Sequence, residues 1–459
     1  MSSPTDVAGS FRDPSGSLFR LDGVLYRRIN QCYRAQYDRL MSCGLYADLV
    51  AAGMLVPHEP ADIGLARSPD AYQVIRPAPV PFISYPYEWC FSQLKDAALL
   101  TLAIQKKAFE RGMVLKDCSA YNVQFIGCKP VFIDTLSFEI YREGEPWVAY
   151  RQFCQHFLAP LALMAYTDIR LNQLLRVYID GVPLDLASRL LPARTRLRFS
   201  LATHLHLHAA AQARFAGAAV RPEHHRFSAL SFRGLVDSLE SGVRRLRPRC
   251  GRTEWGDYCS ATNYSDIARD EKARIVKEFA GMAGPLMVWD LGGNTGIYSR
   301  VAASAGASHV VCFDIDPAAV ERNYRAGKEE KNAAILPLLL DLTNPSGGIG
   351  WANAERQSLA ERGPADLAMA LALVHHLAIS NNVPFERIAA FFAAFCTWQI
   401  IEFIPKNDSQ VRRLLASRKD IFADYDQTHF EQAFSRYFGI EKRMPIAESG
   451  RILYLMKKS

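Results

Sequence analysis

The segment from Met287 to Tyr298, M-V-W-D-L-G-G-N-T-G-I-Y, constrains the fold more than any other part of the chain. An apolar run leads into a glycine-rich turn, and the turn leads into a helix-forming stretch. Strand-like and helix-like runs then alternate, with further strands expected at 309–314, 334–340, 367–373 and 399–403. Repeated β–α units form a parallel sheet with helices on both faces, so this half of the sequence predicts an α/β fold.

Acidic residues stand at the ends of three of these strands. Asp290 precedes the glycine turn, Asp314 lies 18 residues beyond Gly296, and Asp341-Leu342 follow the third strand. That spacing is about the distance at which an acidic residue reaches ribose hydroxyls. A dinucleotide fold uses G-x-G-x-x-G to cradle a pyrophosphate, whereas this turn reads D-x-G-x-N-x-G. A carboxylate there would repel a pyrophosphate and suits the positive amino and sulfonium groups of S-adenosylmethionine (SAM).

Together these motifs resemble those of the class I SAM-dependent methyltransferases over about residues 255–459. The stretches 341–351, 355–384 and 400–415 also resemble a bacterial subgroup of nodulation-protein-like methyltransferases. The resemblance implies a Rossmann-like fold and SAM as the cofactor. The cofactor-binding residues it implies are Asp290, Gly292, Gly293, Asn294, Thr295, Gly296, Asp314, Asp341 and Leu342. A purely structural glycine turn and an NAD enzyme are the alternatives.

The fourth strand ends in L-V-H-H-L, which places His375 and His376 where a transferred methyl group should point. Imidazole is the ordinary base for a hydroxyl near neutral pH, and Glu402, after the fifth strand, could orient a histidine or hold the substrate. The sequence leaves open which histidine is the base and whether one or both are packing residues. Strand four lacks the Asn/Asp-Pro-Pro-aromatic turn that clamps an adenine amino group, and strands four and five lack a Pro-Cys or Thr-Cys nucleophile. We therefore expect transfer to an oxygen, or less often a nitrogen, of a small-molecule or saccharide-like acceptor.

The N-terminal half carries a second arrangement of polar residues. Asp117 is followed by Asn122 and, after a predicted hairpin, by Asp134. This layout resembles a kinase catalytic centre, in which the first Asp orients the acceptor hydroxyl and the other two residues hold magnesium. The sequence departs from it because no lysine precedes residue 95, so that Arg27 or Arg28 would have to replace the ATP-pairing lysine. The resemblance implies a degenerate kinase-like domain that assists substrate binding, with ATP and magnesium as possible ligands.

These readings divide the chain into a kinase-like α+β domain at 17–185, a helical, arginine-rich connector at 186–250 and a methyltransferase domain at 251–459. One alternative is a bifunctional kinase–methyltransferase that acts on a glycan or metabolite. Another is an RNA methyltransferase, suggested by the five arginines at 244–252. A third is a non-catalytic scaffold that binds SAM or a nucleotide.

Composition limits the partners. The formal charge of +7, from 54 basic and 47 acidic residues, is weaker and less clustered than in a typical nucleic-acid-binding protein. Ten scattered cysteines without a C-x-x-C pair indicate reduced thiols, and the longest apolar runs are too short to span a bilayer. We expect a cytoplasmic enzyme with no metal site and no membrane or nucleic-acid partner, and the sequence leaves its oligomeric state open.

Overall fold

The structure is a computed structural model that describes residues 4–215, 227–248, 265–416 and 418–459. The chain divides into two compact units. The N-terminal unit comprises residues 1–250 together with 348–356, and the C-terminal unit comprises residues 251–347 and 357–459.

The N-terminal unit begins with an antiparallel sheet. Among the described residues this sheet has five strands in the order β1-β2-β3-β5-β4. They are β1 (Thr5–Asp6), β2 (Gly16–Leu21), β3 (Val24–Asn30), β4 (His58–Ala61) and β5 (Ala71–Pro77). The turn between β2 and β3 has Asp22 and Gly23 at φ 49° and 79°, as a two-residue hairpin turn requires. An Asp-Gly pair between two β-prone runs at 18–29 predicts such a hairpin, and the pairing of β2 with β3 confirms it.

A long helix follows this sheet. Two shorter helices, α1 (Arg34–Ser42) and α2 (Leu45–Ala51), lie between β3 and β4 in the chain, and the long helix α3 (Phe91–Glu110) comes after β5. Gly112 follows α3 at φ 72°, the left-handed conformation in which glycine commonly ends a helix. Two strand pairs come next: β6 (Met113–Leu115) with β9 (Phe138–Ile140), and β7 (Val123–Ile126) with β8 (Lys129–Phe132). The apolar spacing from Trp89 to Arg111 predicts a long helix, and both this helix and the hairpin predicted between Asn122 and Asp134 are confirmed.

Helices form the rest of this unit. They are α4 (Tyr150–Phe153), α5 (Ala159–Tyr166), α6 (Leu174–Val177), α7 (Leu184–Leu190), α8 (Phe199–Leu201), α9 (His208–Phe215) and α10 (Ala229–Arg245), with π-helical turns at Cys154–Leu158 and Ala202–Leu207. The described part of the expected connector is helical, but it packs into the N-terminal unit. Leu205 and Val243 are buried there, and Lys106 of α3 pairs with Asp237 of α10 at 2.5 Å.

The C-terminal unit is built on one sheet. Its strands are β10 (Met287–Leu291), β11 (His309–Asp314), β12 (Ile335–Leu339), β13 (Ala365–Ala370), β14 (Cys396–Phe403), β15 (Phe438–Pro445) and β16 (Ile452–Lys458). Among the described residues the spatial order is β12-β11-β10-β13-β14-β16-β15. The first five strands in this order are parallel, and β16 and β15 are antiparallel to their neighbours. The α/β fold is therefore as predicted from the β–α alternation.

Helices cover this sheet. They are α11 (Asp266–Ala283), α12 (Ile297–Ser304), α13 (Pro317–Glu329), α14 (Phe385–Ala393), α15 (Ser409–Leu415) and α16 (Gln427–Phe434). Ile275 and Phe279 of α11 and Ala302 of α12 pack in one core with Val288 and Leu367 of the sheet. Sequence reasoning did not identify α11. Within the described ranges, no helix is both long and apolar enough to cross a membrane.

Candidate functional site

The strand order places a crevice beside β10. From β10 the chain moves outward through β11 to β12, and it then returns to the other side of β10 to form β13 and β14. In open parallel sheets, ligands bind at the carboxyl ends of the strands where the order reverses in this way. The glycine turn follows the carboxyl end of β10, so the fold puts it at that point.

The glycine turn is tightly packed on its inner side. Gly292 and Gly293 donate their N–H groups to the carbonyl of Phe313 at 2.8 and 3.0 Å. A Cβ added to Gly293 would lie 2.5 Å from Cys312 Sγ and 2.6 Å from Asp290 Oδ2, closer than such atoms can approach. Gly292, Asn294 and Gly296 have φ of 74°, 50° and 78°, a left-handed conformation that favours glycine and asparagine. The turn therefore requires the residues that the sequence motif supplies.

Asp290 is buried directly beneath this turn. Its Oδ2 accepts a hydrogen bond from the Ser299 hydroxyl at 2.6 Å. Burial raises the pKa of Asp290 to about 6, and the Ser299 bond opposes that rise. A buried carboxylate of this kind gains from a cationic ligand, because a nearby positive charge favours its ionised form.

Asp314 lies at the end of the neighbouring strand and contacts the same turn. Its two carboxylate oxygens accept the backbone N–H groups of Asn294 and Asp316, both at 2.8 Å. Burial raises the pKa of Asp314 to about 6 as well, and these backbone hydrogen bonds oppose that rise.

Asp341 follows β12, and its Oδ1 accepts the backbone N–H and the hydroxyl of Thr343 at 2.8 and 2.6 Å. The three acidic residues thus stand at the carboxyl ends of three adjacent parallel strands.

An arginine that sequence reasoning missed fixes the far side of the turn. Arg300 Nη1 donates to the carbonyls of Thr295 and Gly296 at 3.0 and 3.1 Å and to Asn323 Oδ1 at 3.0 Å. Its Nε also pairs with Glu330 at 2.9 Å. The signal available in the sequence was an arginine one helical turn after the last glycine, where it can reach back to the turn carbonyls.

The histidine pair follows β13, the strand on the other side of β10. The ring centroids of His375 and His376 lie 4.1 Å apart. His375 is 1% exposed, and among the described residues neither of its ring nitrogens has a hydrogen-bond partner. Burial lowers the pKa of His375 well below its ordinary value and lowers that of His376 to about 4. Both imidazoles are therefore uncharged at neutral pH, and the His376 ring is the more exposed of the two.

Glu402 lies in a buried ionic network. Its Oε2 accepts hydrogen bonds from Lys272 Nζ at 2.7 Å and from the backbone N–H of Ala372 at 2.8 Å. Arg451 Nη1 lies 3.5 Å from Glu402 Oε1, and Arg451 Nε donates to Asp408 at 2.8 Å. The sequence suggests that Glu402 orients a histidine or holds the substrate. These contacts instead connect it to the histidine segment through the backbone of Ala372.

The polar residues predicted in the N-terminal unit also come together. Asn122 Nδ2 donates to Ser137 Oγ at 3.1 Å, and the Ser137 hydroxyl in turn donates to Asp134. Arg27, one of the two arginines considered as a lysine replacement, forms an ion pair with Asp134. Burial alone would raise the pKa of Asp134, but Arg27 and Ser137 outweigh it and the pKa is lowered.

Asp117 stands at the start of the same loop. Its Oδ1 accepts the backbone N–H of Ser119 and the side-chain amide of Gln152, both at 2.8 Å, and burial raises its pKa. Lys116, beside it in sequence, donates to Ser15 Oγ at 2.8 Å. These residues are fixed by side-chain hydrogen bonds before any ligand binds.

Some predicted features fall elsewhere. The glycine-rich insertion at 347–358, after the third strand, is a candidate substrate lid from its sequence. Its residues 348–356 belong to the N-terminal unit, where Arg12 Nε donates to Glu355 at 2.9 Å. Trp255, Tyr258 and Tyr264 precede the first strand, and the sequence suggests that one of them covers the cofactor. These three residues lie outside the described residues, as does 249–252 of the arginine-rich run.

Comparison with known proteins places the chain in a family. No protein-family model matches it. The nodulation protein NoeA of Rhizobium meliloti (strain 1021) is 37% identical over 467 residues, covering 99% of this chain and 97% of the relative. The chain belongs to the NoeA family of nodulation proteins. This confirms the nodulation-protein group expected from the sequence, and the strand order gives this NoeA relative the Rossmann-like methyltransferase fold.

Several solved structures are more distantly similar to this chain. The N-methyltransferase NodS from Bradyrhizobium japonicum WM9 is 10% identical, covers 42% of this chain and 98% of its own, and gives a TM-score of 0.32. The magnesium protoporphyrin IX methyltransferase ChlM from Synechocystis PCC 6803 is 17% identical, with coverages of 46% and 90% and a TM-score of 0.30. One structure of the bifunctional kinase–methyltransferase WbdD is 20% identical. It covers 45% of this chain and 42% of its own, with a TM-score of 0.30. The fold assignment rests on this chain's own strand order and register.

Proposed function

We propose that the protein transfers the methyl group of SAM to an oxygen atom of a small, saccharide-like acceptor. The main support is that the glycine turn, Asp290 and Asp314 meet at the carboxyl ends of adjacent parallel strands. The uncharged pair His375 and His376 follows the strand on the other side of the same turn. This arrangement pairs a site for a cationic nucleoside with a proton acceptor.

The residues present fit SAM. When bound, SAM supplies an electrophilic methyl group on a sulfonium centre. Asp290 would offset the positive charge of the methionine end, Asp314 would bind the ribose hydroxyls, and Asp341 with Leu342 would flank the adenine. Gly292, Gly293, Asn294, Thr295 and Gly296 would let the methionine end approach the backbone of the turn. The turn can pack closely on Asp290 and Asn323 because positions 293 and 296 are glycine.

A histidine would accept the proton that the acceptor loses. As the acceptor oxygen bonds to the methyl carbon and the carbon–sulfur bond breaks, the hydroxyl proton passes to an imidazole nitrogen. We assign this role to His376, because it is partly exposed whereas His375 is 1% exposed. His375, whose buried ring lies 4.1 Å from the His376 ring between centroids, would fix the orientation of His376.

The oxygen acceptor and the saccharide class rest on chemistry rather than on a bound ligand. An uncharged imidazole suits a hydroxyl, which must lose a proton during transfer. In the N-terminal unit, Asp117 and Asn122 carry hydrogen-bonding groups typical of sites that hold polyhydroxyl ligands. We propose that this unit assists acceptor binding and that the protein acts in the cytoplasm, where its thiols stay reduced.

The test is calorimetric titration with SAM, followed by transfer of labelled methyl groups to a panel of mono- and oligosaccharides. Asp314→Ala should weaken SAM binding by about tenfold or more, since hydrogen bonds to charged groups contribute roughly 1.5–3 kcal/mol. The matched control is Asp366→Asn, because Asp366 accepts the N–H groups of Leu286 and Met287 at the opposite, amino end of β10. Undiminished binding in Asp314→Ala, or equal loss in both variants, would contradict the ribose assignment.

A second candidate is a bifunctional enzyme that also phosphorylates its acceptor. The observation that favours it is the chain of hydrogen bonds from Asn122 through Ser137 to Asp134 in the N-terminal unit, with Arg27 paired to Asp134. Magnesium-dependent ATP hydrolysis that disappears in Asp134→Asn would support it. Unchanged SAM binding in that variant would show that the loss is confined to the N-terminal unit.

A further inference from the structure

The segment between β13 and the histidine pair contains a backbone conformation that its residue type disfavours. Ala372 has φ 50°, in the left-handed region that residues with a Cβ rarely enter. Such a conformation persists where surrounding contacts hold it. Here the Ala372 N–H donates to Glu402 Oε2 at 2.8 Å, so one buried carboxylate holds the turn from which the histidines project.

Glu402 is itself held from two other elements. Lys272 of α11 reaches it at 2.7 Å, and Arg451, just before β16, reaches it at 3.5 Å. The side chains of Glu402, Lys272 and Arg451 are 0–2% exposed. Arg451 also pairs with Asp408 at 2.8 Å. Of the two cations, Lys272 is the nearer to Glu402 and contacts its Oε2, the oxygen that accepts the Ala372 N–H. The position of that oxygen is therefore set by α11, an element distant in sequence from the histidines.

We propose that Lys272 and Glu402 are positioning residues for methyl transfer, holding the Ala372 turn and through it the placement of His375 and His376. This rests on the proposed function, since it gives the histidines their part in the transfer. Buried ion pairs are often no more stabilising than well-packed apolar side chains of the same volume. We therefore expect the Lys272–Glu402 pair to affect the geometry of the Ala372 turn more than the stability of the fold.

The kinetic test compares two substitutions of the same carboxylate. Glu402→Leu removes the acceptor of the Ala372 N–H, whereas Glu402→Gln keeps an oxygen that can accept it. We expect kcat to fall by about tenfold or more in Glu402→Leu and by less in Glu402→Gln, with KM and SAM affinity within about twofold of the parent, the pattern of an interaction that acts in the transition state. Lys272→Met, which fills the same buried volume, should also lower kcat.

Rescue provides the sharper measurement. Glycine adopts a left-handed conformation readily, so adding Ala372→Gly to Glu402→Leu should restore part of the lost kcat. The matched control is Glu278→Gln, which breaks the 2.5 Å pair between Glu278 and Lys442 elsewhere in the C-terminal unit and should leave kcat unchanged. Absence of rescue, or an equal kcat in the Leu and Gln variants, would overturn the proposal.

A readout that needs no acceptor separates this inference from the proposed function. With isotope-labelled histidine, the ring resonances of His375 and His376 should shift in Glu402→Leu and Lys272→Met and stay in place in Glu278→Gln. Unshifted resonances would overturn the positioning role even if methyl transfer is demonstrated. Shifted resonances in a protein that methylates no acceptor would support the positioning of the turn while the proposed function fails. If Glu402→Leu does not fold, Lys272→Met alone decides the outcome.

Discussion

Two buried carboxylates should make the proposed cofactor site sensitive to pH. Burial raises the pKa of Asp290 and of Asp314 to about 6, so both lose charge as the pH falls from 7 to 5. Because SAM is cationic at its methionine end, we predict that its affinity decreases over that interval. Calorimetric titration at pH 5, 6 and 7 measures it, with Asp366→Asn as a control that should keep the same pH dependence. A constant affinity would contradict the charge assignment of Asp290.

The same two groups should change stability in the opposite direction. A carboxyl whose pKa is higher in the folded than in the unfolded state stabilises the fold when protonated, and this contribution is lost as the pH rises through the folded-state value. For Asp290 and Asp314 that window runs from about 4, the unfolded value, to about 6. Thermal unfolding without SAM should therefore show that these two groups favour the fold more at pH 5 than at pH 7. Asn does not titrate, so the difference in thermal stability between the parent and Asp290→Asn at each pH measures the contribution of Asp290.

At Gly293 the packing of the turn leaves no room for a side chain. A Cβ there would meet Cys312 Sγ at 2.5 Å and Asp290 Oδ2 at 2.6 Å, so we predict that Gly293→Ala lowers the free energy of unfolding by about 1–3 kcal/mol and weakens SAM binding. Gly281 is the matched control, because it lies in helix α11 with nothing within 4 Å of an added Cβ. Gly281→Ala should stabilise by about 0.5–1 kcal/mol. Chemical denaturation of both variants measures the difference, and equal effects would contradict the steric argument.

At the scale of elements, the link between helix α12 and the glycine turn depends on Arg300. Its Nη1 donates to the carbonyls of Thr295 and Gly296 at 3.0 and 3.1 Å, where the glycine turn enters the helix. We predict that Arg300→Met weakens SAM binding by about tenfold, because a loosened turn must be ordered on binding. Arg274→Met is the control, since Arg274 makes exposed pairs on α11. Equal SAM affinity in the two variants would show that the turn holds without Arg300.

The sequence predicted those helices and strands that are determined by residues close to them in the chain. The apolar runs at 309–314 and 367–373 gave strands because β–α alternation fixes both their type and their order, and the positions of Asp314 and His375 followed from those strand ends. Helix α11 was missed, and with it Lys272. Lys272 lies on the buried stripe that includes Ala268, Ile275 and Val276. A lysine on an apolar face was the available signal, but its partner Glu402 is 130 residues away and only tertiary packing joins them.

The N-terminal polar cluster shows the same limit. The spacing of Asp117, Asn122 and Asp134 predicted a shared location, and Ser137 does join two of them. The choice between Arg27 and Arg28 was open, because neighbouring residues on a strand point to opposite faces and the sequence did not fix the register. Pairing of Arg27 with Ile75 across β3 and β5 sets that register, and Arg27 is the one that meets Asp134.

For the whole molecule, the two compact units should respond to different perturbations. SAM, bound to the C-terminal unit, should raise the thermal transition of that unit, by about 2.7 kcal/mol at a concentration of one hundred times its Kd. Arg27→Met leaves Asp134 buried without its ion-pair partner, and breaking a buried pair in this way costs about 3–5 kcal/mol. We predict that this variant lowers the transition of the N-terminal unit while SAM still raises the other.

Differential scanning calorimetry of the full chain, with and without SAM, separates these effects. Arg76→Met is the control, because Arg76 pairs with Glu59 in the same sheet but on its exposed side, where ion pairs contribute little. A single transition that moves with both SAM and Arg27→Met would mean that the units unfold together. In that case the prediction of separate transitions would be wrong.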